Sequence, residues 1–558
     1  MAGRFIVLLE TLSAARDLAR LQMIASILIR HGFGDIVQRL GMGEALSRAG
    51  RVLRWERTEE LTRLEPARRY RRALEEMGPT FIKLGQILAT RIDLLPPDWI
   101  AELERLQDQA PPVPFEKLRP QLETDLGAPP EQIFSDLDTE SLAAASIAQV
   151  HRARLVDGSP VVIKIRRPGI RPIIEADLRL LGRLAEIAER EIPLLARLRP
   201  REVLHQFAQS LRRELDLAGE CHNAERVAHN LAGLSGIKVP RVYWEWTGER
   251  INVQEYIEGI AGRDMEALRI ARLDRRALAV TGAEAVFKMV IQDGFFHADP
   301  HPGNVFFLRD NRIALVDFGL MGYLSQNRRE QVLSLIHGLV ERDSGRVVDI
   351  LLDWSDLDDA ANTTLGHDVE MFINRYHSVA LQRLNLAAML LDLSALIRHN
   401  ELHLPADLAL MFKTFVLLEG LGRQLDPDFD MVAVARPLVR EAILGRYAPD
   451  MLVRRGWRGL AETLDLLSGF PQELRRVLRS VRRGALQIHI DIDRLEGLAE
   501  RLDRAISRLT VGLVTAAFII GTAIVMHAGG DEPWLRHLGY IGAIVCGVWV
   551  LWSIWRGK

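Results

Sequence analysis

The sequence predicts an α+β fold of two lobes, with a helical extension ahead of it and two apolar helices at the C-terminus. Three observations carry this. Short β-branched runs bounded by turn residues cluster within residues 140–320, and helical periodicity dominates on either side. Residues 294–319, GFFHADPHPGNVFFLRDNRIALVDFG, set two acids and an amide around one hairpin. The last fifty residues hold two long runs nearly free of charge.

With 558 residues the chain has room for one large domain with appendages, or for two to three domains. At 48% hydrophobic and 26% charged it has the composition of a globular core. The balance of 72 basic and 74 acidic residues gives a net charge of −2, which excludes recruitment of nucleic acid by a global field. Its two cysteines, Cys221 and Cys546, define neither a disulfide framework nor a metal site and suit a reducing compartment. The apolar run Phe5–Leu9 is too short for a signal peptide and is followed by Glu10.

Taken in order, residues 1–76 read as amphipathic helices with Arg-rich polar faces. Residues 77–130 form a further helical extension and a Pro-punctuated linker. Within it Lys83 and Gln86 share one face of a helix whose apolar contacts are Phe81, Leu84, Ile87 and Leu88. By composition alone Lys83 is a snorkelling surface lysine.

Residues 131–258 change character. SIAQVHRARLV and VVIKI are strands joined by DGSP, a hairpin signal, and Ala143, Ala144, Ala145 and Ser146 occupy the tip one turn earlier. Lys164 is the one charge inside VVIKI, where a strand lysine could hold phosphates. Residues 170–235 are helical and place Glu214, Asp216 and Glu220 within two turns. A strand lysine of this kind needs a helix acid to orient it, and Glu220 is the candidate. INVQEYIEG (251–259) is a strand ending in a turn where a hinge between lobes belongs, with backbone around Glu255–Ile257 expected to meet adenine.

Residues 259–470 form the second lobe, led by a helix over 272–296. The spacing H-x-D-x-x-x-x-N (His297, Asp299, Asn304), then an apolar strand and D-F-G, is that of a kinase catalytic loop and metal loop. Phosphoryl transfer needs hard oxygen ligands for Mg²⁺, here Asn304 and Asp317, and an acceptor beside the nucleophile, here Asp299. VFFL (305–308) and IALV (313–316) are the hairpin that holds them. Beyond residue 320 the chain reads as helical, without an A-P-E motif.

Residues 471–508 are a basic juxtamembrane region whose helix at 471–484 suits an anionic membrane surface, with a short alternating strand at 486–493. Residues 509–558 are expected to form a transmembrane hairpin of spans 509–528 and 538–555. Arg501, Arg504, Arg508, Arg556 and Lys558 flank it, so both ends and the large domain are expected in the cytoplasm, at the cytoplasmic (inner) membrane.

With these pieces in order, the chain resembles the UbiB family of atypical, protein-kinase-like membrane proteins, from about residue 20 to the C-terminal hairpin. The resemblance rests on K-x-G-Q (Lys83–Gln86), an Ala-rich loop (Ala143–Ser146), E-x-D (Glu214–Asp216), HADPHPGN (297–304) and DFG (317–319). It implies a two-lobed protein-kinase-like fold. It also implies ATP bound along Leu142, Ala143, Ala144, Ala145, Ser146, Ile147, Ala148, Gln149 and Val150, with Lys164 and Glu220, and Mg²⁺ on Asn304 and Asp317. Lys83, Gln86, Glu214 and Asp216 become regulatory residues, since the family's K-x-G-Q helix folds over the active site. Alanine resists the positive φ that lets glycine turn its amides onto phosphates, so the loop is expected to restrain transfer to proteins.

The implied function is that of an ATPase or small-molecule kinase supporting isoprenoid quinone, chiefly ubiquinone, biosynthesis. A non-catalytic nucleotide-sensing scaffold is the alternative, and a protein kinase the weaker third. Expected partners are a membrane lipid or polyprenylated quinone precursor, other quinone biosynthesis enzymes and a second copy of the chain, with no nucleic acid.

Overall fold

The computed structural model describes residues 15–42, 64–91, 94–106, 111–191, 200–355, 363–377 and 385–446. The expected basic helix at 471–484, the strand at 486–493 and the transmembrane hairpin lie outside the described residues. Among the described residues no helix is long and apolar enough to cross a membrane.

The extension comprises α1 (Ala15–Arg30), α2 (Pro66–Met77), α3 (Pro79–Thr90) and α4 (Pro97–Leu103). Pro66, Pro79 and Pro97 each open a helix, where a missing N–H costs nothing. These helices share an apolar cluster that includes Leu21, Ile24, Phe81 and Leu103, and Leu180 and Leu184 join it from a helix of the first lobe. Arg20 ties the layers together. It donates to Asp177 at 2.6 and 2.8 Å and to the Met77 carbonyl at 2.7 Å.

The first lobe holds α5 (Phe115–Leu126), β1 (Phe134–Leu137), β2 (Ala143–Ala144), β3 (Ala148–Leu155) and β4 (Pro160–Arg166). After these come α6 (Ile170–Glu191), α7 (Pro200–Glu214), α8 (Leu217–Asn230), β5 (Ile237–Lys238) and β6 (Ile251–Glu255). Its antiparallel sheet runs β1-β3-β4-β6, with β2 hanging from β3. The expected β3–β4 hairpin is present, with Arg154 opposite Pro160. Val161, Ile163 and Ile165 point into a core with Phe115, Leu118 and Val253, as the two-residue period of a strand requires.

In the second lobe β7 (Ile260–Ala261), β9 (Val305–Phe307) and β10 (Ile313–Leu315) form a sheet of order β5-β10-β9-β7. Two features differ from the sequence expectation. β5 lies within the span assigned to the first lobe, yet it pairs in parallel with β10 of the second. The stretch after residue 320 begins with a strand, β11 (Met321–Tyr323), which pairs with β8 (Phe295–His297). The helix leading to the catalytic loop, α9 (Arg275–Phe287), runs into a π-helical turn over Lys288–Asp293 and stops at Gly294, whose φ of 63° suits glycine. Helices α10 (Gln326–Glu341), α11 (Ser344–Ser355), α12 (Thr363–His377), α13 (Leu386–His399), α14 (Ala406–Leu425) and α15 (Met431–Arg446) complete the lobe. Phe296, Phe307, Phe318, Trp354 and Phe412 are buried in its core, and Ala224 and Val227 of α8 join them.

Candidate active site

The catalytic loop leaves β8 through a buried histidine. His297 Nδ1 accepts the Asp299 backbone N–H at 3.1 Å, so a neutral ring carries its proton on Nε2. Burial pushes the His297 imidazole below its ordinary value, against the pull of Asp317 and Asp299. The Asn304 side chain donates to the Asp299 carbonyl at 3.2 Å, and the Asn304 carbonyl accepts from Val316 at 3.1 Å. Those bonds fasten the loop to the β9–β10 hairpin expected from the sequence. Asp317 follows that hairpin, and its Oδ1 accepts the Gly319 N–H at 2.9 Å.

Lys164 and Glu220 meet across the lobe. The ammonium donates to both Glu220 oxygens, at 2.7 and 3.0 Å, and lies 3.9 Å from Asp317 Oδ2. Burial alone would lower the lysine, but Asp317, Glu220 and Glu214 together raise it above its ordinary value. Burial pushes the Glu220 carboxyl up, to about 7, against the pull of Lys164. For Asp317, burial works upward but is overcome by Lys164, the Gly319 amide, His297 and Lys83, leaving it well below the usual carboxylate range.

The E-x-D residues separate in space. The helical run containing them breaks after Glu214, where the buried Leu215 turns inward. Glu214 ends α7 and is ion-paired with Lys83 of α3. Asp216 is instead the N-cap of α8, its carboxylate accepting the Ala218 N–H at 3.1 Å. It therefore fixes the start of the helix that carries Glu220. Gln86 donates to the Leu106 carbonyl at 3.2 Å, a contact inside the extension.

The Ala-rich loop is the β2–β3 hairpin, with Ala143 opposite Val150 and Ala144 opposite Gln149. Arg167 pins it, donating to the Ala145 carbonyl at 2.8 Å and to the Pro111 carbonyl at 3.0 Å. Two of the side chains expected to bind ATP do not face the lysine. Val150 pairs with Lys164 and shares its face, whereas Gln149 pairs with Ile165 and so points to the lobe's core. There Gln149 is buried and exchanges two hydrogen bonds with the Val113 backbone, at 2.9 and 3.1 Å. Ile147 is buried among Ile174, Phe207 and Leu211, anchoring the loop to α6 and α7. Leu142 is exposed, and Ala148 lies opposite Arg166.

At the hinge, the Glu255 and Tyr256 amides already donate to the Arg241 and Pro160 carbonyls. Of the three positions expected to meet adenine, two therefore have their amides already engaged. The donor set fits a hard cation: Asp317 and Asn304 supply oxygens, and Mg²⁺ takes one or two protein ligands plus phosphate. Among the described residues no cluster of three or more His, Cys, Asp or Glu could hold a metal without such help.

Sequence reasoning missed three residues. Lys413 of α14 donates to Asp299 Oδ1 at 3.1 Å. Asn223, one turn after Glu220 on α8, donates to the Phe318 carbonyl at 3.0 Å and so ties that helix to the DFG segment. Glu104, just past α4, lies in the field of the catalytic loop: burial raises its carboxyl, Lys413 lowers it and Asp299 raises it. Asn223 was findable by helical spacing; Lys413, 114 residues from its partner, carried no local signal.

Comparison with known proteins gives matches along the chain. The profile of the ABC1 atypical kinase-like domain matches residues 105–351. That of the UbiB helical domain matches residues 369–430, and that of the ABC1/UbiB kinase-like C-terminal domain matches residues 493–556. The chain is similar to "Probable protein kinase UbiB" of Pseudomonas aeruginosa (strain LESB58), 37% identical over 454 residues, or 79% of this chain and 84% of that one. It is likewise similar to the protein of that name from Xanthomonas oryzae pv. oryzae (strain MAFF 311018), 35% identical over 505 residues, or 86% and 88% of the two chains. Among solved structures, the complex of Rv3197 with erythromycin from Mycobacterium tuberculosis aligns with a TM-score of 0.46 and 23% identity, over 65% of this chain and 92% of that one.

Proposed function

Because the chain belongs to the ABC1/UbiB family of kinase-like proteins, we propose that it binds ATP with Mg²⁺ and turns it over, as an ATPase or small-molecule kinase supporting isoprenoid quinone (ubiquinone) biosynthesis. One observation carries the nucleotide reading. Lys164, half-buried against the buried Glu220 and 3.9 Å from Asp317, joins strand, helix and DFG segment in a single charge cluster. In this reading Lys164 holds the α- and β-phosphates and Glu220 orients it. Asn304 and Asp317 supply Mg²⁺ ligands, and the ion offsets phosphate charge. Asp299 accepts the hydrogen bond of the incoming hydroxyl or water.

The substrate side rests on the sequence. The apolar runs at 509–528 and 538–555 suit a cytoplasmic-membrane anchor, and quinone precursors carry polyprenyl tails that partition into a bilayer. A protein substrate is disfavoured because the extension is tied beside the cleft through Lys83 and Glu214. That same tie favours a second reading, a nucleotide-sensing scaffold for the quinone biosynthetic enzymes, in which ATP moves the extension and no phosphoryl group is transferred.

Asp299→Asn separates the two. Parent and variant are expected to bind ATP equally while the variant releases phosphate far more slowly, and quinone precursors should accumulate in membranes of cells carrying the variant. Undiminished quinone in that strain would favour the scaffold.

A further inference from the structure

Lys413 stands apart from every motif so far described. It lies on α14, in the segment matched as the UbiB helical domain, and its neighbours Met411, Phe412, Thr414 and Phe415 are buried in the second lobe. The Lys413 side chain is itself only 14% exposed and ends 3.1 Å from Asp299 Oδ1. Thr414, the next residue, places its hydroxyl 3.5 Å from the His297 carbonyl. Two consecutive residues of one rigid helix thus address the catalytic loop at positions two apart. The second Asp299 oxygen, Oδ2, has His301 Nε2 at 3.8 Å, beyond hydrogen-bond length.

We propose that Lys413 is a positioning residue for phosphoryl transfer: it occupies Oδ1 of Asp299 and so presents Oδ2 to the attacking hydroxyl or water. This rests on the phosphoryl-transfer reading above. In the step itself the nucleophile oxygen bonds to the γ-phosphorus as the bond from that phosphorus to the β–γ bridging oxygen breaks. The electron pair leaves on ADP, and the nucleophile's proton passes to Asp299 Oδ2 and then to solvent. A carboxylate free to rotate would offer either oxygen at a range of angles, and misplacement of this kind is costly in rate. Stability does not require the pair. A partly buried ion pair contributes little net, and Asp299, 31% exposed, can be solvated when the lysine is gone.

The test measures phosphate release from ATP by the full-length protein in detergent, for the parent and for K413M, K413R, D299N and D299N/K413M. K413M is expected to lose kcat about a hundredfold with KM for ATP and Tm close to the parent's, and K413R to recover part of the rate. The double variant should be no slower than D299N alone, because Lys413 acts through Asp299. Parental kcat in K413M overturns the proposal. So does a joint fall of kcat, ATP affinity and Tm in both K413M and K413R, which marks a structural role, and so does a double variant slower than D299N. A parent that releases no phosphate overturns the phosphoryl-transfer reading and this proposal with it.

Discussion

Lys83 of the extension is ion-paired with Glu214, the last residue of α7, so the K-x-G-Q and E-x-D motifs meet side chain to side chain. An acid at a helix C-terminus is unfavourable against the helix dipole, and the lysine relieves it. The pair is partly exposed, at 15% and 31%, so it contributes only about 1 kcal/mol. Glu214→Gln and Lys83→Met are therefore expected to leave the fold intact while loosening α3. Hydrogen exchange over residues 79–90 should rise in both variants, and nucleotide selectivity or autophosphorylation should change. Parental exchange and parental nucleotide behaviour in both would remove this contact from regulation.

Glu220 makes stability depend on pH. Burial raises its carboxyl from 4.5 to about 7, so between those values the folded protein holds a proton that the unfolded chain has released. The stabilising contribution is thus fully present below about 4.5 and is lost as pH rises to about 7. Measured against Glu220→Gln, the parent's Tm should decline across that window and level off above it. A constant difference between the two proteins would show that Lys164 cancels the cost of burying the acid.

Cys221 lies beside Glu220 on α8 and is buried. Burial and the neighbouring carboxylates push its thiol up to about 12. At pH 8 the thiolate fraction is roughly one in ten thousand, and the thiolate is the reacting form. Iodoacetamide at pH 8 should leave Cys221 unmodified in the native protein and alkylate it fully in denaturant, as read by peptide mass mapping. Rapid native alkylation would mean that α8 opens away from the second-lobe core.

Much of this site was legible because its residues are close in sequence. His297, Asp299, Asn304 and Asp317 flank one short hairpin, and the pattern of apolar runs fixes that hairpin. The Lys164–Glu220 pair was legible by chemistry, since a strand lysine in an apolar setting needs an acid from a nearby helix. Other features depend on tertiary choices. Whether Gln149 faces ATP or the core turns on strand register, and its bonds to Val113 complete the linker rather than the cleft. The break at Leu215 follows from burying that leucine while Asp216 caps the next helix, and neither event shows in helical periodicity. Lys413 reaches Asp299 through the packing of α14, which no local pattern records.

Gly85, the glycine of K-x-G-Q, has a packing reason that its neighbours make explicit. A Cβ built there would lie 2.2 Å from Leu106 Cδ1 and 2.7 Å from Leu74 Cδ1, with Leu103 next at 3.5 Å. These leucines are buried on different segments of the extension, and it is their terminal methyls that must shift to admit a Cβ. Alanine gains about 1 kcal/mol in helix propensity, which offsets part of an overpacking cost of about 1–3 kcal/mol. Valine adds two methyl groups to the same contact and gains less helix propensity over glycine than alanine does. Gly85→Val is therefore expected to destabilise the protein by about 2–3 kcal/mol, and Gly85→Ala by much less. Because Gln86 holds the Leu106 carbonyl one residue along, displacement of Leu106 also breaks that bond. Urea titration checks the energies, and hydrogen exchange at residues 79–106 checks the place. A Gly85→Val protein with parental stability and parental exchange would show that the extension has room at this contact, and that the glycine is not explained by close packing.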